Sequence, residues 1–153
     1  MREHVVQFLN SWKVFVVAVL CWCLWAAIIL WPTSRWLEVP SVRVNDTELP
    51  QPVVMIVDRR IRSEFRGHWT VELRRQMSGA WVLTCTSRGT AWYRTSSALP
   101  DPLTLDWWTD RQCAVKEAGV YRVDTTWRIT DAWLPDRYLS VESNTFRVSG
   151  TAP

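Results

Sequence analysis

The chain has 153 residues, 48% hydrophobic and 22% charged, with a net charge of +3 at neutral pH. That length holds one domain and an anchor but not two sizeable cores, and the ordinary mix of apolar and charged residues excludes a disordered chain. Positive charge is almost all arginine, and beyond Pro32 acids nearly cancel bases, which gives no electrostatic reason to expect nucleic acid as a partner.

The first element is an uncharged apolar run from Val14 to Trp31. As a helix it spans about 27 Å, close to the hydrocarbon thickness of a bilayer. Trp12 and Lys13 at its start, and Trp31, Arg35 and Trp36 at its finish, are the side chains expected at the two interfaces. Pro32 stops the helix. The run is longer than a signal-peptide core, and no small-x-small site follows it. Leu20 also rules out a lipoprotein signal at Cys21, where a small residue must precede the cysteine. We therefore expect an uncleaved transmembrane helix over residues 14–31, with residues 1–13 as a short cytoplasmic tail. The Lys/Arg count is even on the two sides, so orientation rests on the α-amino group and on cysteine usage.

Residues 32–52 are rich in proline and read as a stalk and an extended lead-in, with a short strand near Val42–Val44. From residue 53 to 149 apolar and polar residues alternate in runs separated by turn residues, the period-2 signature of half-buried strands. Val53–Val57 is a continuous apolar strand. Trp69, Val71 and Leu73 share one face of the next, and Trp81, Leu83 and Cys85 share a face beyond the Ser78-Gly79 turn. Leu103, Leu105 and Trp107 alternate with Thr104, Asp106 and Trp108. Tyr121, Val123, Thr125, Trp127 and Ile129 give the clearest alternation, and a last strand over residues 138–148 breaks near Ser143-Asn144. About seven or eight strands at this spacing predict a mainly β chain: a transmembrane helix followed by an immunoglobulin-like β-sandwich.

Cys21 and Cys23 lie within the apolar run and point in different directions on a helix. Cys85 and Cys113 are the pair left to the β domain, and an even pair fits a disulfide in an oxidising compartment; two free buried thiols are the alternative.

Chemistry-bearing patterns are sparse. His4 precedes the anchor, and His68 sits at a strand entrance, so no His lies beside a nucleophile in sequence. Zinc-ligand spacing and phosphate-cradling glycine loops are absent. No catalytic residue, metal or cofactor is therefore expected. Asp101, Asp106 and Asp110 surround Trp107-Trp108, where paired carboxylates would suit a glycosidase, although a solvated strand edge explains them as well. Trp107 and Trp108 are the candidate contact residues: on a strand one is buried and the other exposed, free to stack on a ligand. The stretch from Asp58 to Arg75 is arginine-rich. Cross-strand ion pairs are the simple account of it, and a phosphate or anionic-lipid contact is the sharper one. Asn45-Asp46-Thr47 matches a glycosylation acceptor.

Two resemblances add expectations. Glu117-Ala118-Gly119-Val120-Tyr121, followed by Arg122-Val123, resembles the approach to the F strand of immunoglobulin-like domains, where the tyrosine closes a corner. Val123 stands where antibody-type domains carry cysteine, so their inter-sheet disulfide is absent. The order of anchor, proline-rich segment, Phe65–Arg75, Leu105–Thr109, Gly119–Ile129 and Ser143–Val148 resembles small single-pass membrane proteins of tailed bacteriophages and prophages. That resemblance implies a bacterial inner membrane with the β domain in the periplasm. The expected function is a non-enzymatic interaction domain for an envelope protein, tethered to the lipid bilayer. A lysis-associated membrane protein and a glycan-binding module built on Trp107 and Trp108 are the alternatives.

Overall fold

The structure, a computed structural model, describes residues 2–130 and 135–150, with side chains from Trp12 onward; His4 lies outside the described side chains. The chain divides into two compact units, Met1–Pro32 and Thr33–Pro153.

The first unit is helix α1 (Arg2–Ile29), so the segment expected as a tail is continuous with the helix. Its stretch Trp12–Ile29 is long and apolar enough to cross a membrane. The helix stops two residues short of the expected Trp31. Leu30 and Trp31 still donate to the carbonyls of Ala26 and Ile28, but the ring of Pro32 disfavours α geometry in the residue before it.

The second unit is a β-sandwich. Strands β1 (Leu37–Val44), β3 (Val54–Ile61) and β6 (Leu103–Thr104) form one sheet in the order β1-β3-β6. The other sheet holds β2 (Thr47–Glu48), β4 (Phe65–Met77), β5 (Ala80–Tyr93), β7 (Gly119–Thr130), β8 (Arg137–Glu142) and β9 (Phe146–Ser149). It runs β2-β9-β7-β4-β5, with β8 also on β7. The β7 alternation is as expected: Tyr121, Val123, Thr125, Trp127 and Ile129 are all buried.

Three segments depart from the sequence reading. The expected stalk is part of the sandwich, because Trp36, Leu37, Val39, Val42 and Val44 are buried in its core. Pro40 sits in the irregularity between Glu38 and Ser41, where a residue without an N–H does not interrupt the ladder. The run expected as continuously apolar alternates instead, with Met55 buried and Ile56 59% exposed. In β5 a bulge opposite Leu73 and Arg74 inserts Thr84, whose Oγ1 donates to the Leu73 carbonyl at 2.9 Å. One extra residue reverses the alternation, so Trp81 and Leu83 face away from Cys85 and do not share its face.

Short polar contacts fix the ends of the sandwich. Ser78 (φ 49°) and Gly79 (φ 84°) make the two-residue β4–β5 turn, the left-handed pair such a hairpin requires. Tyr121 donates its hydroxyl to the Glu117 carbonyl at 2.8 Å. Asn144, in the break between β8 and β9, accepts from the Val44 N–H at 2.8 Å and donates to the Val44 carbonyl at 3.0 Å. A side chain of one sheet thus pairs with the edge backbone of the other.

Candidate functional site

A cleft of about 600 Å³ opens on the sandwich beside β5. Its walls come from β3 (Arg59), β4 (Trp69), β5 (Thr90–Tyr93), β7 (Thr125, Trp127) and the segment Trp107–Arg111. The volume lies in the range of small-ligand and peptide side-chain pockets.

The floor is rigid because its aromatic rings are hydrogen-bonded as well as packed. Trp108 Nε1 donates to Thr125 Oγ1 at 3.0 Å, and Trp127 Nε1 donates to the Tyr93 hydroxyl at 3.1 Å. The two indoles meet edge to face at 6.0 Å, and Tyr93 stacks on Phe65 at 4.7 Å. Such pairs add to what their buried area contributes. Burial pushes the Tyr93 phenol above its ordinary range, against the opposing pull of the Trp127 hydrogen bond and the Arg59 charge. Trp69 lies against Gly89, where a Cβ would come within 2.5 Å of the indole.

Trp107 and Trp108 both reach this cleft, by a different element from the strand expected. β6 ends at Thr104, and Leu105–Trp108 is one helical turn, α2. Thr104 Oγ1 caps it by accepting from Trp107 N at 3.3 Å, the bond that Thr, Ser and Asp offer at helix starts. Trp108 is 8% exposed and Trp107 51% exposed, so the division into a buried and a presented indole survives the change of element. Their rings lie 6.4 Å apart.

The segment after α2 is tied down at two points. Ser87 Oγ donates to the Thr109 carbonyl at 2.7 Å, and Cys85 is disulfide-bonded to Cys113. The cysteine pair was legible from the sequence, and here it braces the cleft wall against β5.

Arg59 went unmarked as a site residue. Its Nη2 donates to the Ser97 carbonyl at 3.1 Å, and the guanidinium lies 5.7 Å from the centre of the Tyr93 ring. It is half-buried, and desolvation lowers its pKa. No carboxylate pairs with it among the described residues. Most of its neighbours in the arginine-rich stretch do pair with acids: Arg60 with Asp58, Arg62 with Glu38, Arg74 with Glu72 and Asp124, Arg75 with Glu117. Pairing with acids, across strands for Arg62 and Arg74, thus accounts for four of those arginines but not for Arg59 or Arg66.

The remaining candidates do not assemble. His68 faces the opposite side of its sheet from Trp69, with Nδ1 at 2.8 Å from Thr90 Oγ1. Asp101, Asp106 and Asp110 are all exposed, and only Asp110 lines the cleft. Among the described residues no group of three His, Cys, Asp or Glu is placed to hold a metal ion. Comparison with family models, curated proteins and solved structures finds no match to this chain.

Proposed function

We propose that the protein is a membrane-anchored, non-enzymatic recognition domain that offers its aromatic cleft to a protein partner in a bacterial envelope. The observation that carries this reading is the convergence on one cleft of a hydrogen-bonded aromatic floor, a presented Trp107 and a half-buried, acid-free Arg59. Trp, Tyr and Arg are the side chains that dominate binding energy at protein interfaces, and they do so when held rigid at the centre of a patch. A cleft with five indoles in its wall suits holding a ligand better than turnover.

The apolar stretch of α1 supports an anchor, with Trp12 and Trp31 as its interfacial residues. The Cys85–Cys113 disulfide supports an extracytoplasmic, periplasmic position for the sandwich. The sheet orders and the Tyr121 corner support the immunoglobulin-like type. A phage or prophage source follows from the sequence resemblance.

A photo-crosslinking residue at Trp107 in the full chain, in native membranes, tests the cleft. A discrete protein adduct is expected there and not with the same residue at Lys116. Equal labelling at both sites, or none at either, refutes it. A topology reporter fused after Pro153 tests orientation, and activity of a cytoplasmic reporter would overturn the periplasmic assignment.

A further inference from the structure

We propose that the cleft is one half of a strand-addition site: an extended, acidic segment of the partner pairs with the free edge of β5 and drops an apolar side chain into the cleft. This rests on the recognition reading above and names the partner's chemistry.

β5 is the last strand of its sheet and pairs with β4 alone. Its two ends differ. Near Cys85 the edge is covered, because the disulfide and Gln112 hold the segment after α2 against it. Gln112 Nε2 donates to the Arg88 carbonyl, so the backbone of Arg88 points away from β4. In an antiparallel ladder a residue's N–H and C=O point the same way, and the direction repeats every second residue. Thr90 and Trp92 therefore present their backbone groups outward as well. Thr90, Ala91 and Trp92 also line the cleft, which places the open edge and the aromatic floor in one site. From Gly89 to Tyr93 the edge runs about 17 Å at ~3.4 Å per residue, room for a five-residue strand. Sheet edges are usually blunted by proline, a bulge or a covering segment; beyond the Gln112 contact at Arg88, residues 89–93 have no proline or bulge, and Thr90 and Trp92 are exposed.

Charge selects the occupant. Arg59, Arg66, Arg88, Arg94 and Arg111 lie on or beside this edge, and none has a carboxylate partner among the described residues; Asp110 is the acid of the cleft wall. A second copy pairing antiparallel through the same edge would bring Arg88 of one chain close to Arg94 of the other. An acidic strand meets no such repulsion and gives Arg59 the carboxylate it lacks. Backbone pairing would supply affinity, and the cleft with Arg59 would supply specificity.

The test uses the full chain in nanodiscs and a fluorescent eight-residue probe of alternating aspartate and valine with a central phenylalanine. A lysine–valine peptide and an aspartate–valine peptide N-methylated at alternate amides serve as controls. Binding of the acidic probe is expected, about tenfold weaker after methylation of the edge-facing amides and about tenfold weaker for Arg59→Met. Equal binding of the methylated or the lysine peptide, or binding of a peptidoglycan disaccharide in place of the peptides, overturns the proposal. Thr90→Pro, which removes an outward N–H at an edge that needs no ladder bond there, should abolish the Trp107 photo-adduct while the disulfide still forms. An adduct that persists in Thr90→Pro overturns strand addition and leaves the recognition reading standing; loss of the adduct from the unmodified chain removes both.

Discussion

Replacing Cys85 and Cys113 together by alanine tests how far one covalent link holds the domain and its cleft. The cysteines lie 28 residues apart in sequence, and opening a loop of that size releases about 3.5 kcal/mol of chain entropy in the unfolded state. Cys113 is 1% exposed, so loss of its sulfur adds about 0.5 kcal/mol of lost burial, for a total near 4 kcal/mol. A domain of roughly 120 residues has an unfolding entropy of about 0.25 kcal/mol/K, so Tm should fall by about 16 °C. The assay is thermal melting of the full chain in detergent, followed by near-ultraviolet circular dichroism, where packed indoles give the signal. The cleft should loosen before the whole domain melts, because the segment after α2 then keeps only the Ser87–Thr109 bond and its Gln112 contacts to β5. A fall below about 5 °C would refute the reasoning, since the cross-link would then constrain nothing that the sheets do not already hold.

Asn144→Ala leaves the N–H and carbonyl of buried Val44 without their partner and should cost about 2–3 kcal/mol, read as a lower urea midpoint at unchanged slope. Tyr121→Phe removes a single hydrogen bond to a backbone carbonyl and should cost about 1 kcal/mol, well below the asparagine variant in the same titration. Gly89→Ala drives a methyl into the Trp69 indole, so a loss of about 1–3 kcal/mol is expected together with weaker ligand binding. Burial raises the phenol pKa of both Tyr93 and Tyr121. Each contributes stability that is complete below the unfolded tyrosine value of about 10 and is lost as pH rises through it toward the higher folded value. A urea midpoint that stays flat between about pH 9 and 11.5 would count against that assignment.

What the sequence made legible follows from which forces act locally. The inward face of β7 was readable because every second residue from Tyr121 to Ile129 is buried against one core, and the disulfide was readable because Cys85 and Cys113 stand apart from the cysteines of the apolar run. The strand under the prolines was not. Pro40 marks a break in pairing that leaves Leu37, Val39 and Val42 free to alternate around it, and composition alone makes such a segment look like a stalk. Thr84 was equally silent, since a bulge depends on the register of the partner strand and nothing in Trp81–Cys85 announces it. The Leu103–Trp108 alternation was a strand pattern that turned helical when Thr104 capped it after two residues. Trp107 and Trp108 were found as a pair, but Arg59 was not, because its role depends on Tyr93 and Ser97 arriving from distant parts of the chain.

Net charge is silent on a further feature for a related reason. Near-balance between acids and arginines beyond Pro32 implies a featureless surface only if the two signs are mixed, and in the fold they are sorted. On the outer face of the larger sheet Glu72, Arg74, Asp124, Arg122 and Glu142 form one chain of ion pairs, with Arg122 also 5.1 Å from the centre of the Trp81 ring. The acids spent there are not available at the far end of β5. Arg59, Arg66, Arg88, Arg94 and Arg111 are left without them, so a nearly neutral domain carries a local excess of positive charge beside one of its open sheet edges. Ion pairs on an exposed sheet face contribute little to stability, typically under about 1 kcal/mol each. Their larger consequence in this protein is to leave an arginine-rich edge beside a cleft that has aromatic rings to offer and an unpaired Arg59 to neutralise.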